Sequence, residues 1–366
     1  MIQAAIIGFG QRGKATFERL QYIKNVEVTM LCDTNVQAFD ALAPAQKRDV
    51  LFTTDYHQVT EAPSLNLIYI CTPWDMHVNI AVEAMNHGKH VAIEVPAAMT
   101  VRECEQLVCV SRQTGRHCVM LENCCYDTWH LGVREMVRRG LFGRITHLEG
   151  AYIHPVEKHW MQQQRMEHAG NPYPTHGLGP MCQLLDEDDR LEVLMSMSSQ
   201  TPEACYRINN TLLQTRKGVS MLLQYDTSTP RPYSRLQTVC GTEGFAQKYP
   251  LPTVHINAPS DNETSGVPYS GAAVVNADVA LCGEEAVSLV ESFIPPQFRQ
   301  LIEEGNRLGV SNIMNYMMDR RLIDGLQSGQ PRLDMEVHEA ALWSSITELT
   351  EQSVRQGGRK ISVPEF

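Results

Sequence analysis

The sequence reads GFGQRG at residues 8–13, directly after a strand-like apolar run at 2–8. Gly8, Gly10 and Gly13 have the spacing G-x-G-x-x-G, and a helical pattern opens inside the segment. At such a turn the first glycine permits a tight bend, the second lets the backbone approach a pyrophosphate, and the third lets helix and strand pack closely. The segment therefore predicts a strand, a phosphate-binding turn and a helix.

The second strand indicates which dinucleotide is bound. VEVTMLCD (26–33) ends in Asp33, twenty residues after Gly13. A carboxylate at the tip of this strand accepts hydrogen bonds from the adenosine ribose hydroxyls and repels a 2′-phosphate, so the combination favours NAD over NADP. At the N-terminus of the helix, Gln11 and Arg12 are predicted phosphate contacts. Arg12 is equally compatible with a solvated surface arginine.

The rhythm of apolar segments predicts the fold of the first third of the chain. Strand patterns alternate there with helical patterns, the strands at 2–8, 26–32, 65–72 and 89–95 and the helices at 11–24 and 76–88. This alternation predicts βαβ units and a doubly wound parallel sheet of the Rossmann type, with helices on both faces.

After about residue 140, strand patterns follow one another without long intervening helices, which favours an antiparallel sheet. The strand patterns lie at 145–154, 191–198, 206–215, 219–226 and 235–241, helical patterns lie at 295–307, 312–328 and 336–355, and 255–271 has loop composition. We expect an α/β protein with a Rossmann domain at 1–122 and an α+β domain at 123–366. The second domain is predicted to carry an open, mostly antiparallel sheet, and its last helices can pack back on the first.

Composition excludes several classes of function. The 366 residues carry a net charge of −11, which disfavours binding to nucleic acid or to an anionic membrane. No apolar run approaches the length that spans a bilayer. The eleven cysteines lack the paired spacing of zinc sites, so we predict reduced cysteines, no metal site and a cytoplasmic protein. A periplasmic location would require that a leader had been removed before Met1.

Two further segments carry a family resemblance. CTPWDMH (71–77) and HVAIEVPAAMT (90–100) resemble the T-P-x-x-x-H and E-K-P segments of the Gfo/Idh/MocA oxidoreductases. The resemblance implies a Rossmann domain followed by an α/β domain with an open sheet. In the sugar dehydrogenases of that family, the lysine of E-K-P works beside a D-x-G-x-H segment. Here Val95 replaces the lysine of E-K-P. THGLG (175–179) replaces the D-x-G-x-H segment, with Gly179 at the position of its histidine. The acid–base pair of the dehydrogenases is therefore absent.

A narrower resemblance is to the NAD-dependent glycoside hydrolases of family 109. Its most specific signal is YPTHGLGP (173–180), and it extends to EVPAAMT (94–100), LENCCYD (121–127), MNYMMDRRLID (314–324), ALWSSI (341–346) and ISVPEF (361–366). The resemblance implies α-N-acetylgalactosaminidase activity on a small-molecule glycoside. It also implies a redox-neutral route. NAD+ first takes a hydride from C3 of the sugar, and the C2 proton and the glycosidic oxygen then leave. Water adds across the resulting alkene, and the hydride returns to C3.

This route needs a base near C2 and an acid near C1, and the family motifs offer Tyr152, Tyr173 and His176 for these roles. We predict that the prolines and glycines of NPYPTHGLGP (171–180) form a rigid loop that holds Tyr173 and His176 in place. Tyrosine can act as a base if a nearby positive charge such as the nicotinamide ring lowers its pKa. Tyr152 also fits a core aromatic, and His176 also fits a residue that caps a loop with hydrogen bonds.

Several residues at the carboxyl ends of the parallel strands complete the predicted cofactor site. His77 either lies beside the nicotinamide or caps the following helix, Trp74 packs on the cofactor or only on the sheet, and Glu94 is placed to contact the nicotinamide ribose. The remaining predicted cofactor contacts are Thr72, Pro73 and Asn123.

Two segments depart from the family pattern and leave alternatives open. HPVEKH (154–159) has Pro155 where the family commonly has an acid, and EEGNRLGVSN (303–312) lacks the family's histidine. An NAD-dependent sugar dehydrogenase and a non-catalytic NAD-binding protein therefore stand beside the glycosidase as alternatives. The resemblance also implies a homo-oligomer, a dimer or a tetramer, paired through the second sheet.

Overall fold

The structure, a computed structural model, describes residues 1–155, 168–199, 208–257 and 279–366. Parts of three predicted segments lie outside these ranges. They are residues 156–159 of HPVEKH, residues 206–207 of one predicted strand and residues 258–271 of the predicted loop.

The first sheet has six strands, all parallel, in the order β3-β2-β1-β4-β5-β6. The strands are β1 Ile2–Ile7, β2 Val26–Cys32, β3 Leu51–Thr53, β4 Leu67–Ile70, β5 His90–Ile93 and β6 Cys118–Met120. The helices are α1 Gln11–Leu20, α2 Pro44–Asp49, α3 Tyr56–Glu61, α4 His77–Asn86 and α5 Val101–Thr114, with 3₁₀ turns at Val36–Ala41, Trp74–Met76 and Asn123–Tyr126. The predicted Rossmann sheet is confirmed. Its central strands are continuous apolar runs because helices cover both faces.

Among the described residues, the second sheet has nine strands in the order β14-β13-β12-β11-β7-β10-β9-β8-β15. Of the strand pairs that the structure describes there, β7 with β10 is parallel and the others are antiparallel, so the prediction of an open, mostly antiparallel sheet is confirmed. Its strands are β7 Ile145–Ile153, β8 Leu191–Ser198, β9 Ile208–Thr215, β10 Ser220–Asp226, β11 Ser234–Gly241, β12 Gly244–Gln247, β13 Thr253–Ile256, β14 Val279–Cys282 and β15 Ile361–Ser362. The loop predicted from residue 255 is wrong at its start, because β13 pairs with β12 and β14 as far as Ile256.

The remaining helices are α6 Thr128–Arg138, α7 Thr175–Cys182, α8 Glu284–Ser292, α9 Pro296–Leu308, α10 Ile313–Ser328 and α11 Val337–Arg355. Helix α11 joins the two sheets. Near its start the Ser344 hydroxyl accepts from the backbone N–H of Ala97 (3.1 Å), and near its end the Ser353 hydroxyl accepts from that of Ser196 in β8 (2.9 Å). The predicted boundary between residues 122 and 123 stays a prediction.

The predicted rigid loop at 171–180 is wrong over its second half, because α7 begins at Thr175 and includes Pro180. The glycines of this segment serve close packing. A Cβ on Gly177 would lie 2.6 Å from the backbone nitrogen of Ala151, and one on Gly179 would lie 2.8 Å from the indole of Trp343. The helix therefore lies directly against β7 and α11, and small residues are required at both contacts.

Within the described part of the chain, none of the helices combines the length and the apolar character that crossing a bilayer requires.

Candidate active site

The carboxyl ends of the parallel strands place five polar or glycine residues at one edge of the first sheet. Gly8 follows β1, Asp33 follows β2, Thr72 lies two residues after β4, Glu94 follows β5, and Glu122 lies two residues after β6. Ligands of open α/β sheets bind in the crevice outside this edge. The edge is therefore the candidate cofactor site.

The glycine turn fits a dinucleotide. Gly8 has φ = +90°, and a Cβ there would lie 2.5 Å from the carbonyl oxygen of Cys71. A Cβ on Gly13 would lie 2.0 Å from the carbonyl oxygen of Gly8, whereas one on Gly10 would meet no described atom within 4 Å. The backbone at Gly10 thus faces open space at the start of α1, where amide N–H groups attract phosphate.

Asp33, directly after β2, stabilises the glycine turn through hydrogen bonds to the backbone. One carboxylate oxygen accepts from the backbone N–H of Phe9 (2.6 Å) and the other from that of Asn35 (2.8 Å). A carboxylate has about four acceptor positions, so each oxygen keeps one for a ribose hydroxyl. The site thus fits NAD, because Asp33 supports the turn and keeps free acceptor positions at the place where a ribose would lie.

Arg12 forms an ion pair instead of standing free at the surface. Its Nε lies 3.4 Å from the Oε1 of Glu94, and 44% of its side chain is exposed. Glu94 raises the pKa of Arg12, and the nearby Tyr173 and Tyr152 add to this effect. The glycine turn therefore shares one electrostatic environment with Tyr152 and Tyr173.

His77 is fully buried and contacts two backbone carbonyls. Its Nδ1 lies 2.9 Å from the oxygen of Pro96 and its Nε2 lies 3.0 Å from that of Thr72. Burial lowers the pKa of His77, although both hydrogen bonds oppose the shift. Its side chain contacts the segments that follow β4 and β5. It does not cap α4, because that helix begins at His77 itself. The hydroxyl of Thr72 is buried and has no hydrogen-bond partner among the described residues.

The other predicted cofactor contacts follow two of the parallel strands, Pro73 and Trp74 after β4 and Asn123 after β6. Trp74 is buried and stacks on Tyr173, with ring centroids 5.8 Å apart and planes at 26°, instead of packing only on the sheet. Pro73 precedes the 3₁₀ turn that carries Trp74. Asn123 donates from Nδ2 to the side-chain oxygen of Asn315 in α10 (2.7 Å).

The structure brings the three predicted catalytic side chains together. Tyr152 lies on β7, while Tyr173 and His176 lie just before and within the first turn of α7. The ring centroids of Tyr152 and Tyr173 are 4.8 Å apart, those of Tyr152 and His176 are 5.4 Å apart, and those of Tyr173 and His176 are 4.8 Å apart. Residues from a strand and a helix thus form one compact aromatic cluster.

Glu122 orients His176. The Nδ1 of His176 lies 2.7 and 2.9 Å from the two carboxylate oxygens of Glu122, and its Nε2 lies 3.3 Å from the hydroxyl of Tyr173. Burial lowers the pKa of His176, but the charges of Cys124 and Glu122 outweigh it and raise the pKa to about 10. Burial would raise the pKa of Glu122, yet His176 lowers it. His176 is therefore an imidazolium at neutral pH.

Neither tyrosine is ionised by the protein's own groups. Burial raises the pKa of Tyr152 to about 12 against the lowering effect of Arg12. Burial raises the pKa of Tyr173 further, again against Arg12. Both phenols are proton donors unless a further cation acts on them.

We expect Glu122→Gln to move the alkaline limit of activity to lower pH. If His176 must be protonated, activity persists up to its raised pKa and falls as pH rises through it. Removing the charge of Glu122 lowers that pKa, and the loss should begin about 1–3 pH units earlier. The pH profile of kcat/KM measures the shift. Glu336→Gln is the matched control, because Glu336 pairs with His117 at the opposite edge of the sheet. An unchanged pH profile in Glu122→Gln would contradict the inference that activity requires a protonated His176 whose pKa is raised by Glu122.

The sequence reasoning missed Glu122, although a signal for it existed. Like Asp33 and Glu94, it is a carboxylate at the carboxyl end of a parallel strand. The reasoning also missed an aromatic row that continues the cluster outward. The centroids of Tyr152 and His154 are 5.8 Å apart, and Tyr233 lies 5.2 Å from His154 and 6.0 Å from Tyr249. Tyr233 and Tyr249 lie far along the chain from Tyr152 and His154, so no local pattern connects them.

Comparison with known protein families assigns both halves of the chain. Residues 2–122 match the family described as "Oxidoreductase family, NAD-binding Rossmann fold". Residues 155–206 and 204–366 match the C-terminal domain of glycosyl hydrolase 109. The NAD-binding fold of the first domain is thereby confirmed.

Relatives match along the whole chain. An α-N-acetylgalactosaminidase of Bacteroides fragilis is 42% identical, over 100% of this chain and 92% of the relative. A glycosyl hydrolase family 109 protein of Phocaeicola vulgatus is 40% identical, over 100% of this chain and 94% of the relative.

Solved structures share the fold at low identity. Levoglucosan dehydrogenase in complex with NADH has a TM-score of 0.73 at 16% identity and covers 100% of both chains. The WlbA dehydrogenase of Bordetella pertussis, in complex with NADH and UDP-GlcNAcA, has a TM-score of 0.74 at 15% identity, over 100% of this chain and 98% of that one. The resemblances predicted from the sequence are confirmed: the chain belongs to glycosyl hydrolase family 109 and carries the NAD-binding domain of the Gfo/Idh/MocA oxidoreductases.

Proposed function

We propose that this protein hydrolyses α-N-acetylgalactosaminides or closely related glycosides, with NAD regained unchanged at the end of each turnover. The 42% identical relative named α-N-acetylgalactosaminidase supports the substrate class. The observation that carries the proposal is the chain Glu122–His176–Tyr173 with Tyr152 beside it, next to the glycine turn. An oriented, protonated histidine next to a cofactor crevice suits proton transfer to a leaving group.

The residues that would hold NAD are those of the glycine turn together with Asp33, Thr72 and Glu94. The chemistry that the bound cofactor supplies is a reversible hydride transfer at C3 of the sugar, which makes the C2 proton acidic. The C3 hydroxyl proton leaves to solvent when the hydride is transferred and comes back when the hydride returns. The protein's own groups must accept the C2 proton and protonate the glycosidic oxygen at C1.

His176 is the proton donor in this proposal. Its Nδ1–H is held by Glu122, so the proton on Nε2 is the one that it can transfer. That proton points toward the hydroxyl of Tyr173, 3.3 Å away, which can pass it on. An imidazolium with a pKa near 10 keeps its proton until a leaving oxygen develops charge.

Tyr152 is the proposed base. Its pKa is raised less than that of Tyr173, and Arg12 already lowers it. A further positive charge in the crevice would act in the same direction as Arg12. Once that charge has ionised it, the Tyr152 phenolate accepts the C2 proton and later returns one.

A sugar dehydrogenase is the less favoured function. Val95 is buried where the dehydrogenases carry their lysine, and Gly179 packs under Trp343, with no room for a histidine. The structure therefore offers no acid–base pair at these two positions.

The test uses NAD-loaded protein with a panel of aryl glycosides in heavy water. The expected result is release of the phenol from the α-GalNAc glycoside, deuterium at C2 of the freed sugar, and no net NADH absorbance. Hydrolysis without deuterium would exclude this route, and stoichiometric NADH would indicate the dehydrogenase. Bound NAD without either reaction would indicate the non-catalytic alternative.

We infer that the outer face of the second sheet pairs with a second copy of the chain. Leu212 of β9 lies directly between Met195 of β8 and Leu222 of β10. Met195 and Leu212 are exposed, so these strands present an apolar row to solvent. Apolar patches of this kind mark association surfaces.

Leu212→Glu is expected to shift the protein to a smaller species, because the new charge would be buried in the interface. Light scattering coupled to size exclusion measures the mass. Leu308→Glu is the control, since Leu308 is exposed at the end of α9 and away from this sheet. A monomeric wild type, or equal masses for wild type and Leu212→Glu, would refute the interface.

A further inference from the structure

Three different metal-ligating side chains meet in the candidate active site. One ligand atom each of Glu122, Cys124 and His176 lies within 4.8 Å of the other two. Glu122 and Cys124 are buried, and 11% of the His176 side chain is exposed. The proposed glycosidase chemistry uses the histidine and the carboxylate but leaves the thiol without a role.

The cluster is held by the backbone. The carboxylate of Glu122 accepts from the backbone N–H of Cys124 (3.1 Å), where the 3₁₀ turn Asn123–Tyr126 begins. His176 is fixed by the packing of α7 against β7, where Gly177 contacts Ala151. Two rigid elements therefore set the relative positions of the three donors.

The donor set selects the cation. Thiolate, imidazole and carboxylate together are ligands for Zn²⁺, whereas Ca²⁺ and Mg²⁺ require oxygen donors. The ligand atoms around a tetrahedral zinc lie roughly 3.5 Å from one another. Side-chain movements of about 1 Å would therefore bring the three ligand atoms to zinc-binding positions. Three protein ligands would leave one position for water or substrate.

We propose that Glu122, Cys124 and His176 form a binding site for a thiophilic divalent cation such as Zn²⁺. We also propose that a cation bound there blocks catalysis. The inhibitory part rests on the proposed function, because the metal would occupy the imidazole and the carboxylate that the reaction uses. The binding part stands without it.

The test titrates the NAD-loaded protein with Co²⁺ as a spectroscopic substitute for Zn²⁺, in a Cys109→Ser/Cys282→Ser background that removes two exposed thiols. We expect a thiolate-to-cobalt charge-transfer absorption that saturates at one metal per chain and is displaced by Zn²⁺. Cys124→Ser should abolish this absorption and weaken Zn²⁺ affinity at least tenfold. Cys125→Ser is the matched control, since Cys125 is buried next to Gly179 and is not one of the three clustered ligands.

Absence of the absorption in the background protein, or its equal loss in both serine variants, would overturn the binding proposal. If the absorption appears and the protein hydrolyses no glycoside, the metal site stands and the proposed function fails. If the protein hydrolyses glycosides and Zn²⁺ at saturating concentration does not inhibit it, the inhibitory part fails while the function stands.

Discussion

His176→Ala is expected to lower kcat/KM for an α-N-acetylgalactosaminide by about 10²–10⁴-fold, the usual contribution of a positioned general acid or base. The loss should appear in kcat, because the imidazolium acts on charge that develops in the transition state. NAD content should stay at the wild-type level, since the glycine turn lies on a separate element. Steady-state kinetics and the absorbance of released cofactor measure both quantities.

His90→Ala is the control for this substitution. His90 opens β5 at the amino end of the strand, and its ring stacks on His117 at the edge of the sheet away from the crevice. We expect its kcat/KM within a few-fold of wild type. Retention of more than a tenth of the activity in His176→Ala would remove His176 from the catalytic role.

Gly13→Ala is expected to destabilise the protein by about 4 kcal/mol or more, the range reached only by severe core or backbone conflicts. The new Cβ would lie 2.0 Å from the backbone carbonyl oxygen of Gly8. Neither the Cβ, which is fixed to the backbone of α1, nor this oxygen can move aside without separating α1 from β1. Urea unfolding of the NAD-free protein measures the change in the free energy of unfolding.

Gly10→Ala separates stability from cofactor binding in the same turn. A Cβ at Gly10 would meet no described atom within 4 Å, and its φ of −74° suits any residue. This variant should therefore unfold like wild type and bind NAD more weakly, because the methyl group occupies the approach to the pyrophosphate. Equal stability of Gly13→Ala and Gly10→Ala would contradict this account of the turn.

The fold could be predicted where the pattern is local and strong. The central strand β4 lies within its predicted range because it is an apolar run that is buried throughout. Strand β2 was predicted at its observed bounds from its β-branched and apolar residues, although only Val28, Leu31 and Cys32 are buried. Short elements were missed, such as β3, whose three residues Leu51–Thr53 carry no periodicity to detect. The segment at 175–180 was misread because Gly177, Gly179 and Pro180 are typical of loops, whereas here the glycines allow a helix to touch two neighbours.

The candidate site was recovered in part. The family motifs named Tyr152, Tyr173 and His176, and the structure places them in one cluster. It also shows that Glu122 contacts His176, which the sequence could not reveal because the two residues are 54 positions apart. The pKa values of the cluster follow from burial and neighbouring charge, which no sequence pattern records.

By itself, the sequence determined the phosphate-binding turn, the parallel sheet and the glycosidase motifs, since each depends on residues within one or two elements. Only the tertiary structure decided that His176 is held by Glu122, that Arg12 pairs with Glu94, and that Cys124 completes a three-ligand cluster. The physical reason is that charge and hydrogen bonding act over a few ångströms of space, and packing of separate strands and helices alone sets those distances.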